Sequence, residues 1–211
     1  MISTASKPIS HEIKCFVIVS VLEILYLEVQ ILIIDIFNTD KKYNIIYADP
    51  PWQYNDRGVP GGAEQHYSTM AIGDIQALPV EKLAADNCIL FIWVTFPLLQ
   101  EGLDTIKAWG FEYKTIGFNW VKHNKNSLSW FLGTGNYTRS NPELCLVATR
   151  GERLPRQDMG ICSVVDTPVE RHSKKPDIIR RQIVQLMGDL PRIELFARQE
   201  HKGWDCFGDE V

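Results

Sequence analysis

Apolar residues fall along this chain in short runs separated by polar breaks, and the period of those runs changes from one to the next. Tyr43-Asn44-Ile45-Ile46-Tyr47-Ala48 and Cys88-Ile89-Leu90-Phe91-Ile92-Trp93-Val94-Thr95 have strand chemistry, the second apolar enough for a central strand covered on both faces. Further strands are predicted over Tyr113–Val121, Glu143–Thr149 and Arg192–Arg198. Between them the spacing turns helical. Ile72–Ala85 reads as short helical segments broken at Pro79. Pro97 opens a helix with Leu98, Leu99, Leu103 and Ile106 on one side, stopped at Gly110. Pro176 opens another that runs to Gly188, with Ile178, Ile179, Ile183, Leu186 and Met187 as its packing face. Residues 150–175 and the tail from Gly203 read as irregular, and no internal repeat is visible. Strands alternating with helices predict an α/β sandwich with a mostly parallel central sheet.

Residues 1–40 form an apolar N-terminal extension ahead of a domain placed at 41–211. Its run from Cys15 to Phe37 is long enough to span a bilayer, but Glu23, Glu28 and Asp35 interrupt it, and each charge at bilayer depth costs about 2.5–3.5 kcal/mol. The expectation is therefore no stable membrane association. The β-branched residues suit one or two buried strands, a helix packed on the domain, or a segment outside the functional unit.

A chain of 211 residues, 45% hydrophobic and 23% charged, is long enough for one domain with a sizeable core. The net charge of -4 argues against a general polyanion binder, yet residues 150–202 hold 11 Lys+Arg against 8 Asp+Glu, a modest basic excess. Five scattered cysteines without a CxxC pair, and five histidines without ligand spacing, point to a reduced, cytoplasmic protein that has neither a disulfide framework nor a metal site.

The candidate chemistry centres on Asp49-Pro50-Pro51-Trp52, directly after the first strand. Two prolines force the chain to leave the strand stiffly extended. An acid at the end of a parallel strand faces the crevice where open α/β sheets bind ligands. An amino group conjugated to a purine is a poor nucleophile. The Asp49 carboxylate and the Pro50 carbonyl are acceptors able to draw its hydrogens, and the Trp52 ring can stack on an extruded base. The glycine-bearing stretch Tyr54–Met70 that follows has the character of a substrate loop. In the loop after the third strand, Trp130, Phe131 and Tyr137 are interleaved with Lys122, Lys125 and Arg139, a pattern that suits base stacking and phosphate contact. Candidate substrate-binding residues are thus Tyr54, Lys122, Tyr137 and Arg139.

Asp49-Pro50-Pro51-Trp52, Leu90-Phe91-Ile92-Trp93-Val94, Trp120-Val121-Lys122, Arg171-His172-Ser173-Lys174-Lys175-Pro176-Asp177, Glu194-Leu195-Phe196-Ala197-Arg198 and Gly203-Trp204 followed by Gly208 resemble, in order, the motifs of the MT-A family of adenine-N6 methyltransferases. The resemblance covers about residues 43–210. It implies a Rossmann-like methyltransferase fold with permuted motif order, the catalytic word preceding the cofactor strand, and S-adenosyl-L-methionine as cofactor. It also implies direct in-line methyl transfer to the adenine amino group, without a covalent intermediate or a metal. Asp49, Pro50, Pro51 and Trp52 take the catalytic positions, Asp49 also facing the cofactor. Lys175 takes that of a lysine meeting the methionine carboxylate. Arg198, His201, Gly208, Asp209 and Glu210 fall where the family binds the cofactor's nucleoside, although Asp209 replaces the commoner Asn. The compact chain resembles the bacterial and phage members, so the expected substrate is DNA, in the cytoplasm of a bacterial or phage-infected cell. The alternatives are RNA, or a role as a non-catalytic nucleic-acid-binding partner subunit.

Overall fold

The computed structural model describes residues 32–54, 69–135, 137–171 and 174–211. The two apolar runs that dominate the sequence lie side by side in the middle of the sheet. Strand β1 (Tyr43–Ala48) pairs in parallel with β2 (Ala84–Val94), and on its other side with β6 (Arg192–Leu195). With β3 (Glu112–His123), β4 (Glu143–Arg150), β5 (Val164–Pro168) and β7 (Asp205–Phe207), the order is β5-β3-β4-β2-β1-β6-β7. Only β4 is reversed. It slots antiparallel between β2 and β3, whereas β3–β5 and β6–β7 are parallel. The mostly parallel Rossmann-like sandwich expected from the sequence is the observed fold.

Alternating side chains supply two cores. Ile46 and Ala48 of β1 point to one face, with Leu90, Ile92, Leu146 and Ile193. That face is covered by α1 (Ile72–Gln76), α2 (Val80–Leu83) and α3 (Leu99–Ala108), through Ile75, Leu83, Ile106 and the fully buried Trp109. Trp109 donates its indole N–H to the Ile75 carbonyl at 2.9 Å, so the polar edge of this large ring costs little to bury. Ile45 and Tyr47 point to the other face, where α4 (Ile178–Met187) seals Phe91, Trp93 and Phe118 with Ile179, Ile183 and Met187.

The expected elements recur with local differences. The basic segment after residue 150 contains β5, an edge strand of five residues whose Val165 is buried while Val164 is exposed. That leaves too little apolar pattern to stand out. The last predicted strand stops at Leu195 because Phe196 takes a left-handed conformation at φ 61°, and the tail adds the three-residue β7. The helix expected from Pro97 begins as a single 3-10 turn over Phe96–Leu98.

Most of the Cys15–Phe37 run lies outside the described residues. Its end does not: Ile33 bridges Cys206, Ile34 N donates to the Cys206 carbonyl at 2.8 Å, and Ile34 and Ile36 are buried in the first core. No described helix is long and apolar enough to cross a membrane. Replacing Ile36 by Ala should therefore cost about 2–4 kcal/mol, the usual range for opening a buried aliphatic cavity. Urea denaturation reads this directly, and an unchanged midpoint would place residues 32–36 outside the cooperative core.

Candidate active site

The sheet changes direction of travel between β1 and β6. From β1 the chain moves to β2 on one side, and from β6 to β7 on the other. In open α/β sheets the crevice beyond the strand ends at such a point is where ligands sit. Asp49 leaves β1 there, its backbone N–H 3.5 Å from the Leu195 carbonyl. The two prolines then fold tightly: Trp52 N donates to the Pro50 carbonyl at 2.9 Å, and Met70 N to the Pro51 carbonyl at 2.8 Å. The second bond closes the base of the 54–70 loop, whose residues 55–68 lie outside the described ones. Trp52 is buried against the first core and donates its indole N–H to the Trp93 carbonyl at 3.0 Å. Tyr54 shares a 2.6 Å hydrogen bond with the Thr95 hydroxyl. Both side chains thereby tie the Asp49–Trp52 turn to the end of β2.

Lys175 arrives from the turn ahead of α4. Its Nζ donates to both oxygens of Asp49, at 2.8 and 2.9 Å, and lies 3.3 Å from Glu143 Oε2. The ammonium also sits 5.5 Å from the centre of the Trp93 ring, whose N–H is fixed on the Tyr47 hydroxyl at 2.7 Å. Glu143 opens β4. Because β4 is the reversed strand, its start lies at the same edge as the ends of the others. Glu143 takes Lys122, from the end of β3, as a second cation, and Lys122 lies over the Trp120 ring at 4.9 Å. The result is an alternating, largely buried row of charges: Lys122, Glu143, Lys175, Asp49.

Burial and pairing pull on these groups in opposite directions. Burial raises the Asp49 pKa, and the Lys175 charge offsets only part of this, so Asp49 stays above the usual aspartate range. Burial pushes Glu143 the same way, but Lys175 and Lys122 outweigh it and bring its pKa to about 2. Burial would lower Lys175; the two carboxylates hold it above the ordinary lysine range. Glu143 is thus the firmer anion and Asp49 the looser one.

Beyond β6, the Phe196 turn brings Ala197 N to the Phe207 carbonyl at 2.9 Å. Gly208 packs so closely there that a Cβ would lie 2.2 Å from the Ala197 carbonyl oxygen. Arg198 Nε is 3.5 Å from Glu210 Oε1, and its charge acts on Asp49. His201 contacts Gln199 at 3.0 Å, and burial holds its pKa below the usual histidine value. Asp209 is exposed.

The remaining predicted residues are placed differently from one another. Lys122 is drawn into the row of charges with its side chain only 14% exposed, which leaves little of it for a phosphate. Tyr137 is fully exposed, and Arg139 donates to the Leu132 carbonyl within its own loop at 3.1 Å. That loop is pinched at its base by Asn141, whose side chain accepts from Lys122 N at 3.0 Å and donates to the Lys122 carbonyl at 2.8 Å. Glu143 escaped the sequence reading because an acid opening an apolar strand looks like a strand boundary; only the reversal of β4 turns it into a site residue.

Residues 43–210 match the family model described as MT-A70. The chain belongs to the MT-A70 family. MT-A70 methyltransferases use S-adenosyl-L-methionine, and adenine N6 methylation is the family's chemistry. The chain is 34% identical over 190 residues to "Type II methyltransferase M.MunI" of Mycoplasma sp, a match covering 81% of this chain and 78% of that protein. It is 29% identical over 192 residues to "N(6)-adenosine-methyltransferase catalytic subunit METTL3" of Homo sapiens, covering 90% of this chain and 30% of the human one. It is 29% identical over 190 residues to human "N(6)-adenine-specific methyltransferase METTL4", covering 83% and 39%. The chain thus spans most of the Mycoplasma type II methyltransferase but well under half of the human relatives.

The pairing of Glu143 sets a pH response. Its pKa falls from 4.5 to about 2 on folding, so between these values the unfolded chain binds the proton and the folded one does not. The stabilisation is fully present above pH 4.5 and is lost as pH falls toward 2. Glu143→Gln should therefore be less stable than the parent at pH 7, with the difference shrinking below pH 4.5. Thermal melts across pH 2.5–7 check it; a constant difference would show that the carboxylate is not paired as described.

Proposed function

We propose that this chain transfers a methyl group from S-adenosyl-L-methionine to the N6 amino group of adenine in DNA. The observation that carries this reading is the Asp49–Lys175 pair: a catalytic-turn acid and a buried cation, 126 residues apart in sequence, meet at the switch point of a methyltransferase sheet. Asp49 accepts from the target amino group, and the Pro50 carbonyl, already holding Trp52 N, has a second lone pair for the other hydrogen. Trp52, buried in the first core and tethered to β2, stiffens the turn and acts on the base through the position it gives Asp49 and Pro50.

The donor set suits the cofactor. Lys175 offers an ammonium to a carboxylate, Asp49 an anion to the cationic end of the molecule, and Glu210 with Asp209 acceptors for hydroxyl groups, with Arg198 against Glu210 and His201 on the same segment nearer Asp177 and Arg180. When bound, the cofactor supplies an activated methyl group on a sulfonium. The chain's own contribution is orientation and a preformed negative charge where positive charge grows on nitrogen.

DNA is favoured over RNA by extent of similarity, since the match to the type II methyltransferase spans most of both chains. Tyr54, Tyr137 and Arg139 remain the proposed substrate contacts. Lys122 acts through Glu143.

Transfer of tritium from labelled cofactor to adenine in double-stranded DNA, and not in RNA of the same sequence, is the expected result. Label in RNA alone would replace the DNA reading, and label in neither would favour the non-catalytic partner. Asp49→Ala should lower transfer by at least about 100-fold, as removing a preorganised electrostatic partner commonly does. Its circular dichroism should be unchanged; retained turnover would remove Asp49 from the chemistry.

A further inference from the structure

One ammonium faces two carboxylates at the centre of this site. Lys175 Nζ is within 2.9 Å of both Asp49 oxygens and 3.3 Å from Glu143, with its side chain only 9% exposed. The two acids are not equivalent. Glu143 has Lys122 as a second cation, and the pair of lysines keeps it the firmer anion. Asp49 faces Lys175 directly and Arg198 only at longer range.

The function proposed above, on which this inference rests, asks two things of that pair. Asp49 must accept from the target amino group, and Lys175 must receive the carboxylate of the cofactor. Each is preoccupied while they hold each other. We propose that Asp49 and the cofactor's carboxylate exchange as partners of Lys175, with Glu143 the positioning residue that keeps the ammonium in place throughout. Charge balance favours this. Lys122, Glu143, Lys175 and Asp49 sum to zero, so an arriving carboxylate finds no surplus positive charge unless Asp49 lets go. Glu143 does not take part in the exchange, because letting it go would strand two buried lysines.

Two consequences follow. The resting site is latched, with its amino-group acceptor occupied by its own lysine. Binding of the cofactor frees that acceptor, so cofactor and target adenine bind with positive coupling, and each improves the other by the same factor.

Calorimetric titration with two probes separates the exchange from general stability. S-adenosylhomocysteine carries the amino-acid carboxylate; 5′-methylthioadenosine has the same thioether nucleoside without it. Relative to 5′-methylthioadenosine, Asp49→Asn should bind S-adenosylhomocysteine several-fold more tightly than the parent does, about 3- to 10-fold on the usual scale of site coupling. Glu143→Gln should bind S-adenosylhomocysteine about 10-fold more weakly with little change for 5′-methylthioadenosine, and Glu143→Asp should recover part of the loss. An Asp49→Asn ratio that is unchanged or lower overturns the exchange. A Glu143→Gln variant that loses both probes equally, or melts before titration, removes the positioning role and leaves Asp49→Asn to decide the exchange. A parent protein that binds neither probe overturns the methyltransferase reading itself. One that binds both with no change in ratio between variants overturns only the exchange.

Discussion

The site exists because a buried ammonium is shared between two carboxylates. Taking any one of these charges out of water alone costs several kcal/mol, and removing one partner from such a cluster leaves that cost uncompensated. Lys175 therefore does more than wait for a ligand. It is the counter-ion that allows Asp49 to stand at the end of β1 with its side chain only 20% exposed, and that lets β4 begin with an acid. The turn carrying Lys175 is held in turn by its neighbours. Lys174 bonds Glu170 at 2.6 Å and Asp177 at 2.7 Å, and Arg180 ties the first turn of α4 to Asp177 and to the buried Glu194 of β6. The charge at the centre is fixed from the periphery inward.

Much of this was legible in the sequence. The apolar runs gave β1 and β2 because a strand covered on both faces has no polar side to blur it. Asp49-Pro50-Pro51-Trp52 was legible because two prolines after a strand permit few structures. Lys175 could be assigned only through a resemblance, since a lysine before a helix is ordinarily solvated. The elements that escaped are short or at edges. β5 shows one buried valine, β7 has three residues, and Ile33–Ile36 reads as the end of a longer apolar run and not as an addition beside Cys206. Glu143 escaped for a topological reason: no local pattern reveals that a strand will run backward between two others.

The same sheet explains why residues far apart in sequence share one edge. β1 and β6 are neighbours although about 150 residues separate them, and their successors lie on opposite sides. The crevice opens where no crossing connection covers the strand ends. Phe196, bent into a left-handed conformation immediately after β6, turns the chain into that opening. Such backbone strain, on the order of 1–3 kcal/mol, is commonly found where a site requires it.

The pinch made by Asn141 reaches beyond local geometry. By binding both backbone groups of Lys122, its side chain imitates one more rung of the β3–β4 ladder, and the Lys122–Glu143 ion pair lies immediately beside it. The two ends of the 124–140 loop are thereby fastened before the loop begins. Its length and its exposed aromatics are free to change without disturbing the row of charges that runs from Lys122 to Asp49. A fold fastened in this way lets one loop be rewritten in length and sequence while the charges at its root keep their places.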